Sequence, residues 1–218
     1  MLRSFSITTA ILLLGMTAMS ADEKTAPTGS KAAPTDTVAA KRVPVRNKAD
    51  NCVAIETSYG KMVLELFHDV APAHADSFAT RAADGFYNGT IFHRVIDGFM
   101  IQGGDPTGTG RGNASYTLKA EFNENPHVDG TLSMARTMDP NSASCQFFIC
   151  LGRAAHLDRQ YTVFGQLLKG FDVLHAIGKV PTGAQERPTK DVVMTKVYLS
   201  DSEGRPLAGA AAADKKGK

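Results

Sequence analysis

Arg94, Met100 and Gln102 are spaced so that they could together bind a small apolar group lying beside a polar one. They fall in two short predicted strands within segment 92–112. A two-residue loop between these strands would pair Arg94 with Ile101, whereas a three-residue loop would pair it with Met100 and place all three side chains on one face. On this segment alone, an arginine on a solvated strand face is an equally good interpretation.

A second segment, 130–149, places a phenylalanine on each face of a predicted strand. Phe147 shares its face with Ile149 and is most simply part of the core. Phe148 shares the opposite face with Gln146, where it would be either the floor of an open pocket or ordinary surface. Both alternatives stay open at this point.

The remaining candidate groups predict no cofactor and no metal site. The glycine-rich run 103–112 does not open a helix and lacks the Gly-Lys-Ser/Thr ending of a phosphate-binding loop, so a turn-rich loop is favoured. Cys145 and Cys150 lie on one predicted strand and face opposite ways, so they should neither share a metal ion nor bridge each other. The six histidines show no ligand spacing.

Short strands and two helices are predicted to position these side chains. The helices run from Pro72 to a stop at Gly85 and over Phe171–Ile177. Because closure removes exposed strand edges, many short strands favour a closed antiparallel β-structure. The predicted strands are Val53–Ile55, Met62–Leu66, Ile91–Ile96, Phe99–Gln102, Gly130–Ala135, Gln146–Leu151, Val163–Leu168 and Val192–Leu199.

The two ends of the chain are predicted to lie outside the folded domain. Residues 1–20 combine a positive start, an apolar stretch and small residues before a cut after Ser20, which is the pattern of a signal peptide. Residues 21–50 contain no aromatic residue, leucine or isoleucine and are interpreted as a disordered spacer, and residues 208–218 as a disordered tail. The folded domain is therefore expected over 51–207, in a protein exported to the periplasm or another compartment outside the cytoplasm.

The charge of the predicted domain argues against nucleic acid as a partner. The whole chain has a net charge of +2, but residues 51–207 hold 14 Lys and Arg against 17 Asp and Glu, a net charge of −3. A domain that binds a polyanion by bulk charge would be basic. No apolar run reaches the ~20 residues that span a bilayer, so no stable membrane insertion is expected after the signal peptide is cleaved.

Several motifs carry a resemblance to a known family. They read FHRVI at 92–96 followed by GFMIQGGD at 98–105, then SMA at 133–135 with SCQFFI at 144–149, and finally VFG at 163–165 and RP at 187–188. In these motifs the chain resembles the cyclophilins, which are peptidyl-prolyl cis–trans isomerases. The resemblance covers about residues 51–200.

The resemblance implies a mainly-β fold, a closed eight-stranded antiparallel barrel capped by two helices, with a substrate groove on its outer face. It implies isomerase activity on proline-containing polypeptides, and we expect a monomer without cofactor. Arg94 would donate a hydrogen bond to the prolyl nitrogen, Gln102 would orient Arg94, and His93 would serve packing and hydrogen bonding. The residues implied for substrate binding are Phe99, Met100, Ala135, Arg136, Gln146, Phe148, His156, Leu157 and Tyr161.

Two other classes of protein are alternatives to an enzyme. One is a non-catalytic peptide-binding or chaperone module on the same fold, and the other is a purely structural barrel. The presence of Arg94 and Gln102 together with the apolar residues of the implied slot favours the enzyme.

Three positions depart from the common pattern of the family. His156 stands where the family often has Trp, Tyr161 where it often has His, and Arg136 where Asn is common, although bacterial members resemble this chain at the last two. The chain contains no Trp at all. Cyclosporin, a cyclic peptide that the resemblance implies as an inhibitor bound in the groove, is therefore expected to bind weakly.

Overall fold

The computed structural model describes residues 51–208, which form an eight-stranded antiparallel sheet with two α-helices. The predicted signal peptide and spacer lie outside these residues, as does the predicted tail after its first residue. No helix within the described range is long and apolar enough to cross a membrane. The elements are β1 Cys52–Thr57, β2 Gly60–Leu66, α1 Pro72–Ala83, β3 Arg94–Ile96, β4 Met100–Gly103, β5 Thr131–Met134, β6 Phe147–Cys150, β7 Val163–Lys169, α2 Phe171–Gly178 and β8 Met194–Ser200, with short 3₁₀ turns at Ala155–Leu157 and Ala184–Glu186.

The strands follow one another across the sheet in the order β3, β4, β6, β5, β7, β2, β1, β8. The predicted mainly-β fold and antiparallel pairing are confirmed, but the predicted closed barrel is found as an open, curled sheet. Its end strands β3 and β8 are not neighbours in this order, and Ile91 before β3 forms an isolated bridge with Val193 before β8. Since β3 has only three residues, it offers few backbone groups for pairing along that edge.

Helix α1 buries one side against the sheet, as its apolar spacing predicts. Pro72 lies in the first turn, where its missing N–H has no helical partner to lose, and Gly85 follows the helix with φ +70°. Phe78 is fully buried, and its ring centroid lies 5.0 Å from that of Phe147 and 5.4 Å from that of Phe164. The helix therefore fixes β6 from the core side, leaving the opposite face of β6 for the site.

The hairpin of β3 and β4 has a different register from either predicted alternative. Arg94 pairs with Gln102, and Ile96 pairs with Met100. The loop is thus Asp97–Phe99, closed by a 3.0 Å hydrogen bond from the Phe99 N–H to the Ile96 carbonyl. Side chains alternate with a period of two, so the two-residue shift from the three-residue-loop alternative still leaves Arg94, Met100 and Gln102 on one face.

All three cysteines lie within the described residues as free, buried thiols. Cys145 lies before β6 and Cys150 ends it, so the prediction that both lie on one strand is wrong. Burial raises the pKa of Cys150 to about 12 and, with the charge of Glu65 adding to it, that of Cys52 to about 11. These thiols are therefore protonated at neutral pH and poor nucleophiles.

Candidate active site

A cavity of about 130 Å³ opens on the face of the sheet that carries Arg94. Strands β3 and β4, the loop between them, the end of β5, strand β6 and the turn after it all contribute side chains. Nine of the eleven residues that the sequence predicts for the site line this cavity: Arg94, Phe99, Met100, Gln102, Ala135, Arg136, Phe148, Leu157 and Tyr161.

The floor of the cavity is apolar, buried and packed against neighbouring side chains. Met100, Phe148 and Leu157 are 2%, 5% and 8% exposed and belong to one hydrophobic cluster, separate from the main core. The ring of Phe148 packs edge-on against Tyr161, with centroids 6.0 Å apart. Phe148 is therefore a pocket floor, which decides the alternative that its sequence left open.

Arg94 stands at the edge of this floor with its side chain 40% exposed. Its Nε donates to Oε2 of Glu186 at 3.3 Å. Gln102, which was expected to orient Arg94, instead donates from Nε2 to Oε1 of Gln146 at 3.0 Å. The predicted link between Arg94 and Gln102 is thus absent from the hydrogen bonds of residues 51–208, although the two side chains lie on paired positions.

Gln146 and His156 are the two predicted site residues that do not line the cavity. Gln146 is 8% exposed, and its Nε2 donates to the carbonyls of Gly110 at 3.2 Å and Gly112 at 2.7 Å, which ties the glycine-rich loop to β6. His156 is exposed, and its ring centroid lies 5.5 Å from that of Phe99. Neighbouring residues of a 3₁₀ turn point about a third of a turn apart, so Leu157 reaches the cavity and His156 does not.

Two positions that depart from the family pattern contact each other. The guanidinium of Arg136 lies over the ring of Tyr161, 4.3 Å from its centroid, in a cation–π contact. The same side chain donates from Nη2 to the Gln160 carbonyl at 2.8 Å and from Nη1 to the Thr137 carbonyl at 2.8 Å. Arg136 is therefore folded along the rim, where it forms a wall of the groove.

A buried polar array beneath Phe148 was not predicted from the sequence. His127 Nδ1 lies 3.1 Å from Oδ1 of Asp158, and its Nε2 lies 3.0 Å from Oγ of Ser133. The His127 ring stacks on Phe148 with centroids 6.0 Å apart. Although the order Asp, His, Ser suggests nucleophilic catalysis, Ser133 and His127 are fully buried, so the array supports the pocket floor. No spacing in the sequence links these residues.

Three buried histidines and Asp158 give a testable pH dependence of stability. Burial lowers the pKa of His127 despite its bond to Asp158, and burial likewise lowers the pKa of His74 and His93. Burial alone would raise the pKa of Asp158, but hydrogen bonds from Arg153 and His127 lower it to about 2.

We expect the free energy of unfolding to fall as the pH drops below about 6.5. At such pH the histidines of the unfolded chain bind protons, whereas the buried histidines of the folded protein stay neutral. Each histidine contributes at most about 1.4 kcal/mol per pH unit. A further loss follows as the pH falls through the range between about 4 and about 2, where Asp158 protonates in the unfolded chain first. Urea unfolding at pH 8, 7, 6 and 5 measures the first effect, and equal stability at pH 7 and pH 5 would contradict it.

A second depression, of about 370 Å³, adjoins the cavity and shares Arg94, Gln102 and Arg136 with it. One wall is the turn Gln185–Arg187, in which Gln185 and Glu186 have φ values of +59° and +54°. Left-handed backbone at residues other than glycine costs on the order of 1–3 kcal/mol each. The other residues lining it are His93, Thr109 and Gly110.

His93 lines this depression and is only 6% exposed. Neither of its ring nitrogens has a hydrogen-bond partner among the described residues, so the predicted packing role fits and the predicted hydrogen bonding is not observed. Residues 51–208 also contain no group of three or more His, Cys, Asp and Glu side chains that could hold a metal ion.

An apolar slot edged by a half-exposed arginine, on an antiparallel sheet, is suited to a compact apolar group that lies beside a polar one. Comparison with known proteins agrees with a site of this kind. The family described as cyclophilin type peptidyl-prolyl cis-trans isomerase/CLD matches residues 52–199. The chain therefore belongs to the cyclophilin-type peptidyl-prolyl cis–trans isomerases, and its domain is of the isomerase type that the sequence resemblance implied.

The matches to individual relatives cover nearly the whole length of each relative. Mouse peptidyl-prolyl cis-trans isomerase-like 1 is 45% identical over 154 residues, which cover 68% of this chain and 92% of the mouse protein. Peptidyl-prolyl cis-trans isomerase CYP18-1 of Arabidopsis thaliana is 41% identical, covering 72% of this chain and 99% of the plant protein. A Cryptosporidium parvum cyclophilin crystallised in the presence of the dipeptide Ala-Pro is 35% identical with a TM-score of 0.66, covering 69% of this chain and 99% of that one.

Proposed function

We propose that the protein accelerates rotation about X–Pro bonds in folding polypeptides without a covalent intermediate, with Arg94 donating to the prolyl nitrogen. The observation that carries this proposal is the position of Arg94 at the edge of an apolar cavity floored by Met100, Phe148 and Leu157. The presence of Ala-Pro with the Cryptosporidium relative supports proline as the residue that enters the slot.

Isomerisation of an X–Pro bond requires only a hydrogen-bond donor held in a fixed position. The X–Pro bond has partial double-bond character, and rotation about it takes tens to hundreds of seconds without a catalyst. Reaching about 10³ s⁻¹ requires a barrier lower by about 7 kcal/mol. Twisting the bond localises the lone pair on the prolyl nitrogen, so a donor aimed at that atom stabilises the twisted state more than either planar state. Arginine suits this role because it is permanently charged and rich in donors.

The groove also supplies a place for the backbone of the substrate. The Ala135 N–H donates to the Gln146 carbonyl at 2.9 Å, so an extended peptide pairs with the carbonyl of Ala135 and with the backbone of Arg136. The Arg136–Tyr161 wall then limits the groove on one side. Arg94 and Phe148 line the same cavity, so we expect a proline ring that lies on Phe148 to present its nitrogen to Arg94.

An isomerase assay on a proline-containing peptide tests the proposal directly. Protease-coupled or NMR-exchange measurements should show acceleration of the cis–trans interconversion by the wild-type protein. Binding of the peptide without acceleration would identify a non-catalytic peptide-binding module instead. If the peptide does not bind at all, the groove is not a binding site for proline-containing peptides.

Phe148→Ala is expected to raise KM for such a peptide by about ten- to a hundredfold, because burial of the proline ring on this floor is lost. The truncation also leaves a cavity and should destabilise the fold by about 3–5 kcal/mol, so Phe148→Leu provides a milder variant of the same kind. Phe122→Ala is the control, since Phe122 is 43% exposed and does not line the groove. Unchanged kinetics in folded Phe148→Ala would remove this residue from the pocket.

We also propose that residues 1–20 direct export, that cleavage follows Ser20, and that residues 51–207 act as a monomer in the periplasm or another exported compartment. The apolar stretch and the small residues before Ser20 support this. Mass spectrometry of the mature protein gives its first residue, and a mature chain that still begins at Met1 would contradict cleavage.

The same domain is proposed to behave as a closed barrel in solution. The Gly89 N–H donates to the Met194 carbonyl at 2.8 Å and the Phe92 N–H to the Val192 carbonyl at 3.0 Å. These hydrogen bonds support closure, since they join the segment before β3 to the start of β8. Slow hydrogen exchange of these two amides is the expected result, and rapid exchange of both would show that the sheet is open there.

A further inference from the structure

We propose that Glu186 is a positioning residue for the isomerase reaction, holding the guanidinium of Arg94 where it can donate to the prolyl nitrogen. This role rests on the proposed function of Arg94 and adds a residue outside the motifs that carry the family resemblance. Glu186 acts through Arg94 and has no part in the apolar floor on which the proline ring lies.

The contact with Glu186 leaves the Nη groups of Arg94 available to donate hydrogen bonds. Glu186 Oε2 accepts from Nε of Arg94, at 3.3 Å, and Nε lies at the base of the guanidinium. Among residues 51–208 the terminal Nη groups of Arg94 form no hydrogen bond, and Gln102 donates to Gln146 instead. Holding Nε restricts the plane of the group while the Nη donors remain free to face a substrate.

The turn that carries Glu186 is anchored independently of Arg94. Thr182 and Pro188 form an isolated bridge, and the Gly183 N–H donates to the Arg187 carbonyl at 2.8 Å. Arg187 also donates from Nη1 to the Gly108 carbonyl at 2.6 Å, which fastens the turn to the glycine-rich loop. The carboxylate is therefore presented to β3 by a fixed support.

Backbone strain marks this turn as serving more than stability. Gln185 and Glu186 both have left-handed backbone, which persists at residues other than glycine only where the surroundings impose it, and such residues cluster at functional sites. The ion pair itself is exposed, 40% at Arg94 and 50% at Glu186, and pairs of this kind add little to folding stability. The ion pair stabilises the fold too little to explain the strained backbone. The need to place a carboxylate beside Arg94 does explain it.

Orientation of Arg94 before the reaction is a contribution to kcat. A long, half-exposed side chain samples several rotamers, and fixing it during the reaction would add to the barrier. Glu186 removes that freedom in the free enzyme. Substrate binding depends mainly on Met100, Phe148 and Leu157, so KM should change less than kcat.

Kinetics of Glu186 variants test this role. Glu186→Ala should lower kcat about five- to tenfold with KM within about twofold, and Glu186→Gln should lose less because its amide oxygen still accepts from Nε. Glu203→Gln is the matched control, since it removes an exposed carboxylate from an ion pair with Lys169. An unchanged or raised kcat in Glu186→Ala would overturn the proposal.

A second measurement separates positioning from a structural role of the turn. In an Arg94→Ala background, Glu186→Ala should have no further effect, whereas the same fold-loss in both backgrounds would mean that Glu186 does not act through Arg94. The NMR signal of the Arg94 Nε–H should be protected from water exchange in the wild type and lose that protection in Glu186→Ala. An inactive wild type would overturn the function proposed for Arg94 and this role with it. If the wild type is active and the Glu186 variants have the same kcat, only the role of Glu186 is overturned.

Discussion

Arg94→Ala is expected to lower kcat/KM by about a hundred- to a thousandfold, the usual cost of removing a donor aimed at the charge that develops in a transition state. The apolar floor of the cavity remains in this variant, so peptide binding should survive better than turnover. Arg94→Lys should recover little, because an ammonium group lacks the planar fork that can be held at Nε while Nη donates. The measurement is the isomerase assay on an X–Pro peptide, with binding followed separately.

Folding should be nearly unaffected by Arg94→Ala, since the side chain is 40% exposed and its ion pair with Glu186 is exposed as well. Arg205→Ala is the matched control, because Arg205 also donates from Nε to a carboxylate, that of Asp201, at an exposed position. Near-normal turnover by Arg94→Ala, with the control also normal, would exclude the proposed mechanism.

Strand geometry alone left open both the register of the β3–β4 hairpin and the face on which Gln102 lies. A shift by two residues leaves the same side chains on each face. The three-residue-loop alternative therefore places Arg94, Met100 and Gln102 on one face, as the structure does, whereas the two-residue-loop alternative does not. The position of the loop decides the register, because the observed loop Asp97–Phe99 has three residues, the same length as the loop that would pair Arg94 with Met100. The pairing of Arg94 with Gln102 therefore had to come from the structure.

Contacts between distant segments were beyond prediction for a different reason. Glu186 lies 92 residues from Arg94, and Asp158 lies 31 residues from His127. No local periodicity records such proximity, which depends on how the curled sheet brings turns together. Strand geometry alone relates neighbouring residues, so Phe147 and Phe148 could be assigned to opposite faces of β6 from the sequence.

The structure also changes how the substitution of Trp by His156 is understood. The resemblance implies that a rim Trp donates its indole N–H to a carbonyl of cyclosporin. Here His156 is exposed, lies 5.5 Å from Phe99 between ring centroids and does not line the cavity. The apolar floor of the cavity and Arg94 therefore do not depend on His156, and we expect ordinary catalysis combined with weakened inhibition.

Cyclosporin is expected to inhibit the unmodified protein about ten- to a hundredfold less tightly than a Trp-bearing cyclophilin. A lost neutral hydrogen bond accounts for about 0.5–1.5 kcal/mol, and the smaller area of an imidazole accounts for a comparable amount. His156→Trp should recover much of this loss with little change in turnover, because an indole extends further across the rim beside Phe99. The measurement is the inhibition constant of both proteins in one isomerase assay.

His175→Trp is the control for this prediction, because it introduces the same ring at another exposed histidine, one on α2 whose partner is Asp129. It should leave the inhibition constant unchanged, so a gain confined to His156→Trp would locate the effect at the rim of the groove. Equal gains in both variants would indicate nonspecific affinity for an added indole. Inhibition of the unmodified protein as tight as that of a Trp-bearing relative would instead mean that another residue already fills the rim, and Arg136 folded against Tyr161 is the side chain that lies there.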